Sequence, residues 1–303
     1  MYDLIIVGSG PAGLSAAIYA TRARLSFIII EQNFMSGGQV VDTYEVDNYP
    51  GLPGISGMDL AMKMRDHADH LGAEFVTAEV TKLELTEDVK KVYTEDEVYE
   101  AKTVILATGA SHRKLGIPGE SALAGMGVSY CATCDGAFFR GSDVAVIGGG
   151  DVAVEDAIFL ARGCKKVYVV HRRDELRAAK VLQERLLSLP NVEMVWNALP
   201  KSIAGESQVG ALHVTDKFTG ELRTLHVDGV FVAVGIQPNS DLVDGQLALD
   251  QGGYIAAGED CETSIPGVYA VGDVRTKKLR QIITACGDGA NAVTSVQEYL
   301  LTH

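Results

Sequence analysis

The sequence predicts an α/β fold of two domains, one inserted into the other. DLIIVGSGPAG at 3–13 and DVAVIGGGDVA at 143–153 repeat one pattern, an Asp, four apolar residues and Gly-x-Gly-x-x-Gly/Ala, at an offset of 140. In each copy a stretch of helical period follows the glycines. A second apolar strand then ends 18 residues past the last small residue of the motif, at Glu31 and at His171. The strands able to complete the first sheet return only near the end of the chain, beyond the second copy.

Composition agrees with this reading. Of 303 residues, 47% are hydrophobic and 22% charged, an ordinary globular balance with length for two domains. Gly is abundant at 33 against 8 Pro, so many backbone positions need tight turns or close approach of a ligand. Asp plus Glu number 40 against 26 Lys plus Arg, and the net charge of -14 excludes a general surface for nucleic acid or anionic membrane. No apolar run approaches the roughly 20 residues of a membrane span, and the opening MYDLIIVGSG lacks the basic region and cleavage site of a signal peptide. The expected location is cytoplasmic.

Each element has a physical reason. Gly8 permits the strand-to-helix turn, Gly10 lets backbone amides approach a pyrophosphate, and Gly13 must be small so that helix packs on strand, with Ser9, Pro11 and Ala12 between them. The helical stretch 14–21 presents its N-terminus to the phosphates. The strand 25–30 follows, and Glu31 at its tip can accept hydrogen bonds from a ribose diol while repelling a 2'-phosphate, which suits FAD or NAD. A buried strand at 103–109 closes the first unit with Gly109.

The second copy places Gly148, Gly149, Gly150, Asp151, Val152 and Ala153 in the same roles, then a helix at 154–162 and a strand at 167–170. At its tip stand His171, Arg172 and Arg173, with Arg177 beyond, a cationic cluster in an acidic chain. Guanidinium forks match phosphate oxygens, so this copy reads as an NADPH site. A strand at 230–235 ending in Gly235 closes the unit. Near the C-terminus, 263–273 reads as a strand ending in Gly272-Asp273, and 282–301 as a helix. The layout is then one discontinuous FAD domain, 1–113 and 240–303, with an NADPH domain at 114–239 inserted through a two-strand hinge, both Rossmann-like units of the three-layer ββα type.

Five cysteines do not make a secreted disulfide framework, but Cys131-Ala-Thr-Cys134 has the spacing of redox or metal chemistry. A zinc site needs a second ligand pair, and no other CxxC or Hx3-5H is present, so no metal is expected. Asp135, directly after the second cysteine, is a candidate acid/base for a thiol leaving group. Cys164, Cys261 and Cys286 read as small buried hydrophobes, Cys286 being the one left open.

Taken together, these residues resemble the low-molecular-weight thioredoxin reductases over essentially the whole chain. The resemblance rests on GSGPAG at 8–13, GGQV at 37–40, DNYPG at 47–51, ATG at 107–109, CATCDG at 131–136, GGGDVAVE from 148, HRRDELRA from 171, and Gly272-Asp273 with Arg280-Gln281. It implies FAD on the first unit and NADPH on the second. FAD contacts would come from the first glycine motif, Glu31, Gln32, Gly38, Gln39, Val40, Asn48, Val80, Ala107, Thr108, Gly109, Gly272, Asp273, Arg280, Gln281 and Ile282. It further implies that Cys134 faces the flavin, that Cys131 attacks the disulfide of a thioredoxin or thioredoxin-like partner, and that the enzyme is a homodimer. Since dithiol and NADPH ride on one domain, they must take turns at the flavin, and rotation about the hinge is expected.

Some positions depart from the family pattern. Val152 stands where Ser or Thr is frequent, Ala137 where an aromatic is common, and Cys286 where small non-thiol residues are usual. Phe138 and Phe139 read either as a partner surface or as core. Relatives driven by ferredoxin, or lacking the dithiol, are disfavoured by the intact second motif and the CxxC; a flavin-bearing sensor without turnover is the alternative from another class.

Overall fold

From Leu4 onward every residue of β1 (Tyr2–Val7) is buried, and its side chains alternate between two cores as a strand's period of two requires. Leu4 and Ile6 pack with Leu14 and Ala17 of α1 (Pro11–Arg22), while Ile5 and Val7 join a second cluster on the opposite face. β2 (Phe27–Glu31), α2 (Gly57–His70), β3 (Phe75–Thr77), β4 (Val80–Glu84), β5 (Lys90–Thr94) and β6 (Val98–Leu106) follow. In the computed structural model, which describes residues 1–43 and 46–303, the chain divides into two units. One comprises Met1–Val41, Tyr49–Ser111 and Gln237–His303, the other Asp42–Asn48 and His112–Ile236.

The crossing into the second unit is β7 (Ala110–His112). Then come β8 (Val128–Ser129), α3 (Ala132–Asp135), β9 (Asp143–Ile147), α4 (Asp151–Leu160), β10 (Lys166–Val170), α5 (Lys180–Leu187), β11 (Val192–Val195), β12 (Ala198–Ala204), β13 (Ala211–Asp216), β14 (Leu222–His226) and β15 (Gly229–Val232). The return is β16 (Ile236–Pro238), which pairs with β7, and the chain ends with β17 (Val268–Ala270) and α6 (Ile282–Thr302).

Both units carry the α/β pattern. In the first, β3-β2-β1-β6 are parallel neighbours, and β6 does double duty. Its residues Val104 to Leu106 pair with β17, whereas Val98 to Ala101 pair antiparallel with β5. The C-terminal strand thus joins the first sheet. In the second, β11-β10-β9-β15-β8 is a parallel sheet. Val144 and Val146 of β9 pack on the side of α4, and Ala145 and Ile147 on that of the antiparallel meander β12-β13-β14.

The strand expected over 263–273 shrinks to β17. Pro266-Gly267 makes a turn there, with Gly267 at φ +75° and Val268 N donating to Ile265 O at 3.1 Å. α6 meets α1 so closely that a Cβ on Gly289 would lie 2.2 Å from the Ala12 carbonyl oxygen. No helix among the described residues is long and apolar enough to cross a membrane.

Candidate active site

The expected site residues fall into three groups, the first around the turn between β1 and α1. Gly8 has φ +100°, and a Cβ there would lie 2.5 Å from the Ala107 carbonyl oxygen; one on Gly13 would lie 2.0 Å from that of Gly8. The protein's own packing demands these two glycines. Around Gly10, by contrast, nothing lies within 4 Å of the missing Cβ. The backbone stays open there, beside the first amides of α1, which have no carbonyl a turn behind them. This is the cradle a pyrophosphate needs.

Glu31 is held at the tip of β2, accepting from Ser9 N and Oγ at 2.8 Å each and from Asn33 N at 2.9 Å. Gln32 follows, exposed, and Gly38, Gln39 and the buried Val40 lie in a short turn where Gln39 Nε2 donates to Ala110 O. Ala107, Thr108 and Gly109 leave β6, with Thr108 Oγ1 donating to Asn239 O at 2.7 Å, and Val80 opens β4 half-buried. Asn48 alone of this set groups with the second unit.

Beyond β17, Asp273 keeps its buried Oδ1 without a hydrogen-bond partner among the described residues. Burial pushes its carboxyl up, against the pull of Lys277 and Arg280. An orphaned acceptor in a turn calls for a hydroxyl donor from a ligand, and together with the open turn at Gly10 it fits FAD with its sugar-alcohol chain. The Arg280 guanidinium lies 3.9 Å over the Tyr254 ring, and Gln281 caps α6 through Thr284, with Ile282 next, half-buried.

Beneath this loop lies a cluster that sequence reasoning missed. Asp288 accepts from Gly272 N at 2.9 Å, from Arg275 Nε at 2.9 Å and Nη2 at 2.7 Å, and from Lys277 Nζ at 2.7 Å. Burial pushes the Asp288 carboxyl up, but the two cations overcome this and hold it below its ordinary value. The one signal was an Asp among the small residues of α6. Asp288→Asn leaves two buried cations without their counter-charge, a loss of about 3–5 kcal/mol. At about 2–4 °C per kcal/mol, a midpoint lowered by several degrees in thermal unfolding is the expected result.

The second group repeats the first on the other unit. A Cβ on Gly148, φ +156°, would lie 2.5 Å from the Ala233 carbonyl oxygen and 2.6 Å from Ala153 Cβ, while Gly150, like Gly10, faces open space. Arg177 N donates to Gly149 O at 2.7 Å, which ties the arginine loop to the turn. Arg172, Arg173 and Arg177 are exposed, and none is ion-paired among the described residues. Three unengaged guanidiniums beside an open phosphate turn fit a nucleotide with an extra phosphate.

His171 departs from the expected cationic cluster. Its buried ring lies where a Cβ of Gly149 would be, 2.3 Å from Cε1. Burial lowers its pKa, a backbone bond with Glu175 opposes this, and the charges of Arg177, Arg173 and Arg172 lower it further. The ring is therefore neutral and forms a wall, leaving the arginines as the cations. Asp151 accepts from Ala179 N at 2.8 Å, Val152 is exposed, and Gly235, at φ +120°, accepts from Arg113 N at 2.9 Å.

The third group is the dithiol. Cys131 is the N-cap of α3 and is disulfide-bonded to Cys134, with Cα atoms 5.3 Å apart and both residues half-buried. Asp135 Oδ2 accepts from Ser129 Oγ at 2.6 Å, and the same hydroxyl accepts from Cys131 N at 3.1 Å. Burial pushes the Asp135 carboxyl up, with the Ser129 bond opposing, so a proton is held there more readily than on an ordinary aspartate. Sequence reasoning found Asp135 but gave no signal for Ser129. Phe139 packs edge-on against Phe231, whereas Phe138 is exposed, so the pair divides between core and surface.

The remaining thiols are quiet. Burial pushes Cys164 up to about 11 and Cys261 to about 12. Burial also raises the Cys286 thiol, against a bond with Tyr49, and its Sγ donates to Pro11 O at 3.8 Å. These are protonated packing groups.

The profile of the pyridine nucleotide-disulphide oxidoreductases matches residues 2–289. A thioredoxin reductase of Bacillus subtilis is 44% identical over 99% of this chain and 95% of its own, and one of Streptomyces clavuligerus is 46% identical over 98% and 94%. Among solved structures, thioredoxin reductase from Streptococcus pyogenes is 49% identical with a TM-score of 0.96, covering 100% of this chain and 99% of its own.

Proposed function

The chain belongs to the pyridine nucleotide-disulphide oxidoreductase family and acts as a thioredoxin-disulfide reductase with FAD and NADPH, and from that premise we propose which of its residues do the work. The observation that carries the assignment is the Cys131–Cys134 disulfide with Asp135 beside it, on the unit that also bears the arginine-flanked turn. When bound, NADPH supplies a hydride and FAD relays its electron pair to the disulfide, so each turnover converts NADPH, one proton and a disulfide into NADP+ and two thiols.

The glycine turn at 8–13 and Asp273 bind FAD; the turn at 148–153 with Arg172, Arg173 and Arg177 binds NADPH. Cys134 receives the electron pair, which breaks the Cys131–Cys134 bond. The Cys131 thiolate attacks a sulfur of the thioredoxin disulfide, and Asp135 gives a proton to the departing thiolate. Cys134 then attacks Cys131 in the mixed disulfide, restoring the original bond and releasing the second sulfur. The other proton arrives with the hydride. Family membership also supports a homodimer in the cytoplasm.

Because dithiol and arginine-flanked turn lie on one unit and the flavin's residues, Asn48 aside, on the other, the two are served in alternation, with β7 and β16 as the hinge. The test is turnover in a protein whose units are joined by an engineered crosslink. NADPH-dependent reduction of thioredoxin should stop while FAD remains bound, and normal steady-state rates in a verified crosslinked sample would refute the alternation. If the uncrosslinked enzyme reduces no thioredoxin, the flavin-sensor reading gains instead.

A further inference from the structure

Asp135 offers its two oxygens to different surroundings. Oδ2 is taken by the Ser129 hydroxyl at 2.6 Å; Oδ1 is buried and has no partner among the described residues. Beside them lies a partly open cavity of about 130 Å³, lined by Gly125, Gly127, Val128, Ser129, Asp135, Phe138 and Phe139, with room for water. Ser129 Oγ also accepts from Cys131 N at 3.1 Å and stands 3.3 Å from Cys131 O. The Ser129 hydroxyl, six residues from Asp135 in the chain, thus joins the carboxylate to the backbone of the attacking cysteine.

We propose that Ser129 is the positioning residue that holds Asp135 and Cys131 as one hydrogen-bonded unit, and that the cavity admits the water from which Asp135 regains its proton at Oδ1. The hydroxyl serves both states of the acid. It donates to Oδ2 in both, more strongly when the carboxylate is charged than when the proton sits on Oδ1. In each turnover the O–H bond of the acid breaks, its proton forms an S–H bond on the departing thioredoxin thiolate, and a solvent proton restores Asp135; no electrons move in this step. The inference rests on Asp135 being the proton donor.

The pH dependence follows from the charges around Asp135. Burial raises its pKa and the Ser129 bond lowers it. The other titratable groups on adjoining elements are Asp151, Glu155 and Asp156 of α4 and Tyr130 beyond β8, which Cys131 and Cys134 join only when their disulfide is reduced. Asp156 is itself pushed up to about 7, by burial and by Glu155, so its titration must be separated from that of Asp135. Removing the Ser129 donor withdraws support from the charged carboxylate. The alkaline limb, along which the acid loses its proton, must therefore move to higher pH, by about one unit.

The experiment is the pH profile of kcat/KM for thioredoxin with the FAD-loaded enzyme, for wild type and the Ser129→Ala, Ser129→Thr and Asp135→Asn variants. Ser129→Ala should shift the alkaline limb upward by about one unit, Ser129→Thr should leave it in place, and Asp135→Asn should remove it. If Ser129→Ala lowers activity equally at every pH, or if the Thr variant shifts as far as Ala, the positioning role is overturned. An unstable Ala variant leaves the decision to Thr, since an unshifted limb is required there and a shifted one refutes the role. If Asp135→Asn retains the limb, the assignment of Asp135 fails instead, and the titrating group is another, with Asp156 first in line.

Discussion

Cys134→Ser should lower NADPH-dependent reduction of thioredoxin by on the order of 10³-fold or more while leaving NADPH able to bleach the flavin. The split is the informative part. The serine hydroxyl cannot form a disulfide with Cys131, so the electron pair has no acceptor on the second unit and the reaction stops between its halves. The substitution is nearly isosteric at a half-buried position, and the bonds from Ser129 to Asp135 and Cys131 do not involve the Cys134 side chain. The fold should therefore persist, as near-normal FAD content and an unfolding midpoint matching that of the dithiol-reduced wild type would show. Stopped-flow absorbance of the flavin after mixing with NADPH, followed by a thioredoxin assay on the same sample, separates the two halves. Full thioredoxin reduction by the variant would rule out the dithiol assignment.

What the sequence could reveal depended on how local the physics was. The glycine turns were legible because each requirement acts within a dozen residues: Gly8 meets Gly13 across one strand-to-helix turn, and the same geometry recurs at Gly148 and Ala153. β6 pairs in parallel with β1 on one edge, and β17, from the far end of the chain, takes the other. Ser129 and Asp288 were not legible. Ser129 carries no pattern of its own, and its role appears only when β8 and α3 bring its hydroxyl to Asp135. Asp288 meets Arg275 and Lys277 only because α6 folds back over the turn after β17. His171 was misread as a cation because sequence shows its neighbours' charges but not its burial against Gly149.

The arginines should set cofactor choice. Replacing Arg172, Arg173 and Arg177 together by Gln is expected to lower kcat/KM for NADPH by about 10²- to 10³-fold and to leave that for NADH nearly unchanged. Each charge-assisted bond to phosphate contributes about 1.5–3 kcal/mol, and 1.4 kcal/mol is a factor of ten. Three such bonds cannot be summed at full value, because exposed guanidiniums are screened and one can partly replace another. The backbone cradle at Gly150 is untouched by the change, so binding common to both nucleotides survives. His171 being neutral matters here. A charged imidazole would retain attraction for the 2'-phosphate after the arginines were removed, whereas a neutral one leaves little to hold it. The NADPH/NADH ratio of kcat/KM, measured against ionic strength, decides the matter. In wild type the ratio should fall as salt rises, and in the triple variant it should stay near one and scarcely respond. A variant that still prefers NADPH by a hundredfold would place the phosphate somewhere other than beside this loop.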